Sequence, residues 1–409
     1  MVAALTRVFG VHNLALAEDV VQDALCRALE VWKFQGAPEN PAAWLMATAK
    51  NRAIDVLRRE RTARTFAPEL GRLLETEWTL APVVEELFEA HTIKDDLLRM
   101  MFSCCHPRLA EEAQVALVLH VLCGFSVGEI ASAFLNTDAA VEKRIARAKK
   151  VLAGSKKLFD LESEADLSAR LPAVQRALYL LFNEGYHGAC PESAVRVELC
   201  QEAMRLAALL LDHHLTSTPA THALAALMCL HAARLPARVD AGGNLSPLGE
   251  QDRSLWDAAL VAEGQRLLDL SATGTKLTEY HVEAAIASVH AAAHKAEDTN
   301  WATIVSLYDT LMLIRPSPVV ALHRAIAIAQ NEGPERGLEE ILSIDAADRL
   351  AAYPFYSAAL GELELRQGRK EIARAHFEAA VAVARNPSER RFLEQRAASC
   401  KAPAPRTVS

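Results

Sequence analysis

Apolar residues recur at helical spacing along this chain. Val20, Ala24, Ala28 and Val31 form one seam of a helix predicted over 15–32, and Glu18, Asp19, Gln22, Asp23 and Arg27 are left on its outer side. Gly36 and Pro38 mark a loop over 33–40. From Pro41, a second helix carries Leu45, Ala49, Ala53 and Val56 inward, which leaves Lys50, Asn51, Arg58 and Arg61 outward. Trp44, at the start of that helix, reads as core rather than as a platform for stacking bases.

A second pattern begins at Val115, where an apolar run to Leu122 predicts a buried helix that ends at Gly124. Ser126 with Glu129 three residues on predicts a capping box, and Ile130, Ala131 and Phe134 give the short helix that follows its stripe. A third helix carries Val141, Ile145, Ala148 and Leu152 on one narrow face. Its opposite face holds Ala139, Lys143, Ala146, Arg147 and Lys150, with Glu142 and Arg144 on the flanks. This is the pattern of a helix-turn-helix, in which small residues approach base edges while Lys and Arg reach phosphates and guanine acceptors. An antiparallel helix pair in a bundle has the same periodicity.

Beyond residue 165 the helical spacing continues. Gly361, Gly368, Ala373, Phe377 and Ala380 match the small, turn and aromatic positions of a tetratricopeptide unit with halves at 357–367 and 369–384. Similar pairs are predicted at 301–314 with 319–330, and at 198–211 with 220–232. The uncharged run 215–233 approaches membrane-spanning length, but its serine, proline, histidines and threonines mark it as a buried helix pair. Between helical regions, residues 238–256 are long, polar and irregular and carry Asp240, Glu250, Asp252, Arg253 and Trp256; Asp240, Asp252, Arg253 and Trp256 form a candidate regulatory loop, or all five are buried capping and ion-pairing groups.

Composition fits these elements. Of 409 residues, 51% are apolar and 23% charged, the proportions of a folded chain of two or three domains, and only 6% are aromatic. The expected fold class is all-α. The eight cysteines lack the spacing of a disulfide framework and are read as free thiols. Cys104, Cys105, His106, His120 and Cys123 are badly spaced for a tetrahedral metal site, and no phosphate loop, nucleophile elbow or acid–base group of histidines appears. No enzyme activity, metal or cofactor is expected. Nothing in the opening residues reads as a secretory signal, so a cytoplasmic location is expected.

The net charge of −8 hides a strong local pattern. Residues 50–64 hold six bases against two acids, residues 142–157 seven against one, and residues 69–96 between them eight acids against two bases. Two basic islands on an acidic protein suit bipartite contact with a polyanion, since phosphate neutralisation needs local positive charge. Two solvated helix faces would show the same charges.

The residues that carry these patterns resemble the extracytoplasmic-function class of bacterial sigma factors, the promoter-reading subunits of RNA polymerase. LAEDVVQDALCRALEVW at 16–32 is similar to the region-two helix that docks on the clamp helices of the polymerase β′ subunit. NPAAWLMATAKNRAIDVLRRER at 40–61 resembles the segment that melts and reads the −10 element, and FSVGEIASAFLNTDAAVEKRIARAKKVL at 125–152 resembles region four, which reads the −35 element. The resemblance implies core-polymerase contacts by Asp19, Gln22, Asp23 and Arg27. It further implies −10 contacts by Asn51, Arg52, Asp55, Arg58 and Arg59, and −35 contacts by Ala140, Lys143, Arg144 and Arg147. Glu142 departs from the family, many of whose members have a basic or hydroxyl residue there, and Met1 falls almost inside the family's first region-two helix.

The implied organisation is region two over 1–65, an acidic linker over 66–96, region four over 97–157, and a helical-repeat extension over 165–400. FNEGY at 182–186 and the 238–256 segment resemble a subgroup with such an extension. The implied partners are core RNA polymerase, through its β′ clamp helices and β flap, and promoter DNA, with a protein or peptide on the C-terminal repeats and no membrane. The rival reading is a helical-repeat, protein-binding adaptor without promoter function.

Overall fold

The computed structural model describes residues 1–9, 13–38, 40–61, 96–134, 136–153, 164–187, 195–239, 245–345 and 347–400. Nearly all of the acidic segment 66–96, and Asp240, lie outside the described residues. Helices account for the regular structure, and the described residues contain one isolated bridge, Val239 with Leu245, and no longer strand. The fold class is all-α. Two compact units divide between Ala177 and Leu178.

The first unit begins with α1 (Val2–Phe9), α2 (Leu14–Gln35) and α3 (Pro41–Arg61). Leu5, Ala17, Val20, Ala24, Ala49 and Ala53 form its core. Because four of these are alanines, α2 and α3 approach closely, and the apolar seams predicted for the two helices are the faces they bury against each other. Next come α4 (Asp96–Cys104), α5 (Glu111–Val121), α6 (Val127–Ala133) and α7 (Asp138–Ala153). Val115 to Leu119 are fully buried. Gly124, at φ +74°, takes the chain out of the turn after α5 in a conformation that a side chain would oppose. The predicted capping box is present: the Ser126 amide donates to Glu129 Oε2 at 2.7 Å, and the Glu129 amide donates to Ser126 Oγ at 3.2 Å. On α7, Val141, Ala148 and Leu152 are fully buried and Ile145 nearly so, as the stripe predicts. The first turns of α8 (Glu164–His187) complete this unit, with Arg170 Nη1 donating to the Phe102 carbonyl at 3.1 Å.

The second unit continues through α9 (Val197–Asp212), α10 (Pro219–Ala232), α11 (Leu235–Arg238), α12 (Ala258–Ser271) and α13 (Glu279–Ala292). It ends with α14 (Trp301–Ile314), α15 (Pro318–Glu332), α16 (Pro334–Leu342), α17 (Pro354–Arg366), α18 (Lys370–Ala382) and α19 (Pro387–Ser399). The uncharged run 215–233 is one buried helix, α10, rather than a pair. Its first four residues form the turn before α10, where the Thr218 hydroxyl accepts from the Thr221 amide at 3.3 Å and Pro219 opens the helix. Successive core clusters follow the chain, from Val282, Ile286, Ile304 and Leu311, through Leu322, Ala325, Leu338 and Leu363, to Ala373, Phe377 and Cys400. A Cβ on Gly361 would lie 3.0 Å from the Phe377 ring and 3.1 Å from the Ala373 carbonyl, so small against large is the packing that joins α17 to α18.

Candidate nucleic-acid interface

The first basic island lies on α3. With Ala49 and Ala53 buried against α2, Asn51, Arg52 and Asp55 are turned to solvent. Arg52 Nε donates to Asp23 Oδ2 at 3.1 Å across the two helices. The two side chains are 46% and 57% exposed, and a pair this open is worth about 0–1 kcal/mol, little enough for both to exchange partners. Arg58 and Arg59 continue α3, and their side chains lie outside the described residues. Trp44 packs edge-on against Trp32 with ring centroids 5.5 Å apart, consistent with a packing role.

On α2, Asp19, Gln22, Asp23 and Arg27 are exposed. Beside them Leu25 and Leu29 are 47% and 76% exposed, which gives this helix an apolar strip that charge alone did not predict. Glu18, expected on the outer side, is instead partly buried and accepts from Lys149 Nζ of α7 at 2.9 Å.

On α7 the burial of one stripe decides the opposite face. Lys143 and Arg147 are exposed and Ala140 is partly so. Arg144 differs from them: its Nη2 lies 2.9 Å from Glu112 Oε2 and its guanidinium 5.9 Å from the centre of the Phe134 ring, so it ties α7 to α5 and α6. Its Nη1 is buried without a hydrogen-bond partner.

Cys104 and Cys105 are fully buried. Burial pushes the Cys104 thiol up to about 12 and the Cys105 thiol well above its ordinary value, so both stay protonated. Among the described residues no three Cys, His, Asp or Glu side chains converge as a metal site.

In the C-terminal unit, Asp252 is exposed and its Oδ1 accepts from the Ser254 amide at 2.9 Å and hydroxyl at 2.7 Å, bonds that hold its carboxyl below the usual carboxylate range. Arg253 Nη1 donates to the carbonyls of His290 at 2.7 Å and Ala293 at 2.6 Å, and its guanidinium lies 5.1 Å from the centre of the buried Trp256 ring. These groups cap and tie the segment, and Glu250 within it pairs with Arg396, with Oε1 3.7 Å from Nη1. The same region brings Tyr186, Arg234, Arg238, His231 and His290 together, a grouping the sequence reading did not find. Its one sequence signal is the placing of two arginines directly after an otherwise uncharged buried helix.

Residues 1–63 match the family described as Sigma-70 region 2, and residues 99–152 match Sigma-70, region 4. The chain belongs to the extracytoplasmic-function sigma factors and carries a C-terminal extension. Region 2 of this sigma factor therefore spans α1 to α3, and region 4 spans most of α4 to α7. In the extension, residues 170–272 match a family of unknown function (DUF6596). An uncharacterized protein of Rhizobium meliloti (strain 1021) is 39% identical over 392 residues, covering 95% of this chain and 90% of its own. No solved structure matches. Sigma-factor families are non-enzymatic regulators of transcription, and no catalytic family is indicated. No helix among the described residues is long and apolar enough to cross a membrane.

Proposed function

We propose that this sigma factor docks on core RNA polymerase through the outer face of α2 and reads a two-part promoter through α3 and α7, in the cytoplasm. The exposed Asp19, Gln22, Asp23 and Arg27, with Leu25 and Leu29 among them, offer the mixed apolar and charged surface that a helix-to-helix protein contact uses. The β′ clamp helices are the partner assigned to it, and the β flap is assigned to region 4. Asn51, Arg52, Asp55, Arg58 and Arg59 are assigned to the −10 element, where bases of an opened strand meet amide and cationic groups.

Ala140, Lys143 and Arg147 are assigned direct contact with the −35 element. Arg144 is given a positioning role there, because reaching DNA would cost it the Glu112 contact. The domain limits proposed are those read above, with the extension modulating initiation through a protein or peptide partner. The observation that carries the promoter reading is the solvent face of α7, where Lys143 and Arg147 stand opposite a fully packed stripe. An adaptor without promoter function gives no account of matches to two promoter-reading regions.

The test is transcription in vitro by core polymerase and the full chain over a random promoter library. Lys143→Glu with Arg147→Glu is expected to abolish start-site selection and to reduce the salt dependence of promoter binding, each lost phosphate contact lowering the log–log slope by about 1. Unchanged transcripts from the double variant would overturn the assignment.

A further inference from the structure

We propose that the C-terminal extension holds a binding site for a small oxyanion, formed by Arg234, Arg238 and Arg253 around Tyr186 and Trp256. Arg234 is only 7% exposed, yet its acceptor is a single neutral oxygen, the Tyr186 hydroxyl, at 3.1 Å from Nε and 2.7 Å from Nη2. Arg238 donates through Nε to the Tyr186 carbonyl at 2.9 Å, and its guanidinium lies 4.2 Å from the centre of the same ring. Arg253 spends its Nη1 on two carbonyls and its Nη2 on the Thr299 hydroxyl at 3.1 Å. Arg234 and Arg253 share the Trp256 ring, at 5.8 and 5.1 Å from its centre.

Three guanidiniums thus sit around two aromatic rings, and none has a carboxylate within ion-pairing distance among the described residues. Asp298 acts on Arg253 only at a distance. Buried cations are ordinarily paired, since an unpaired one carries a desolvation cost of several kcal/mol.

The hydrogen-bond inventory points the same way. Arg253 Nε, Trp256 Nε1, His231 Nδ1 and His290 Nδ1 are all buried without a partner. The first two are obligate donors. Elsewhere in folded proteins such groups are nearly always satisfied, and buried donors of this kind favour an acceptor. The histidines of the cluster are kept neutral, with burial and the neighbouring arginines lowering both His231 and His290. A cluster rich in N–H donors, with surplus positive charge and aromatic walls, selects a ligand with several acceptor oxygens and negative charge. Phosphate and carboxylate groups share that chemistry, and planar guanidiniums bind either through paired hydrogen bonds.

This inference is independent of promoter recognition, so its test needs no polymerase. The full chain is titrated with sodium phosphate and separately with sodium malonate, against sodium chloride at matched ionic strength, following heat of binding and the thermal midpoint. Saturable binding at one site per chain, with a raised midpoint, is expected for at least one of the two anions. Phosphate alone identifies a phosphoester ligand, malonate alone a carboxylate ligand, and both a general oxyanion site.

Arg253→Gln, the least buried of the three positions, is expected to weaken binding at least tenfold, while the exposed control Arg374→Gln leaves it unchanged. Arg234→Gln should abolish binding, and if that variant does not fold, Arg253→Gln and the unmodified chain still decide. Two outcomes overturn the proposal: neither anion acting differently from chloride, as when water alone fills the cluster, or binding that survives Arg253→Gln undiminished, the mark of an adventitious ion elsewhere on the surface.

Discussion

Arg144 and Lys143 are sequence neighbours on one helix, but their roles are divided by what each side chain meets. Lys143 faces solvent, whereas Arg144 bridges α7 to Glu112 and lies beside Phe134. Arg144→Ala is therefore expected to lower unfolding stability by about 1 kcal/mol, through lost packing and a lost partly buried ion pair, while Lys143→Ala stays within about 0.5 kcal/mol. Denaturant unfolding of the two variants distinguishes them. Thiols give a second residue-scale readout, because Cys26 is exposed on the α2 face beside Gln22 and Arg27 while Cys104 and Cys105 are buried and protonated. In the native chain a maleimide is expected to label Cys26 and spare Cys104 and Cys105, as mapped by peptide mass spectrometry. Under the docking proposed for α2, prior binding to core polymerase should slow labelling of Cys26 at least tenfold. Unslowed labelling in the complex would remove α2 from the contact.

At the scale of elements, the extension depends on backbone approach as much as on apolar area. A Cβ on Gly337 would fall 2.3 Å from the Ala329 Cβ and 3.1 Å from Leu363 Cδ1, which sets how closely α16 lies on α15. Gly337→Ala should thus destabilise the chain by about 1–3 kcal/mol despite the better helix propensity of alanine, because the overpacked contact is buried on both sides. A thermal midpoint equal to or above that of the parent chain would contradict this packing account. Region 4 shows the converse case, in which local chemistry suffices: Ser126 and Glu129 satisfy each other's amides within one turn and so fix where α6 begins.

For the whole molecule, several histidines are buried in the neutral form. Burial lowers His231, His281 and His290, and the neighbouring arginines add to the effect at His231 and His290, the last of which is brought down to about 3. His281 Nδ1 accepts from the Thr278 amide at 3.2 Å, a bond that a proton on that nitrogen would break. A base whose folded pKa lies below its unfolded value near 6.5 binds fewer protons in the folded state, so stability is full above that pH and falls as pH drops through the window toward the folded value. Each such histidine contributes a slope of about 1.4 kcal/mol per pH unit once the unfolded chain protonates. The thermal midpoint is expected to be level from pH 7 to 8 and to fall between pH 6.5 and 5, before most carboxylates titrate. A smaller fall in His290→Gln assigns part of it, and a flat profile across that range would refute the neutral-histidine picture.

The sequence by itself determined what depends on periodicity and on contacts a few residues apart: the all-helical class, the seams of α2, α3 and α7, the capping box, the two basic islands and the exposed Asp19, Gln22, Asp23 and Arg27. It also placed three helix pairs of the extension, α9 with α10, α14 with α15 and α17 with α18, to within a few residues. Such features are legible because a helix repeats every 3.6 residues and its caps are chosen locally. Only the tertiary structure decided which charged groups are spent on the protein itself. Glu18 and Lys149 are 131 positions apart, Arg144 meets Glu112 from another helix, and Arg234, Arg253, Tyr186 and His290 converge from separate segments around two aromatic rings. No local rule encodes these meetings, since each side chain's partner and dielectric surroundings are fixed only when distant apolar faces have packed.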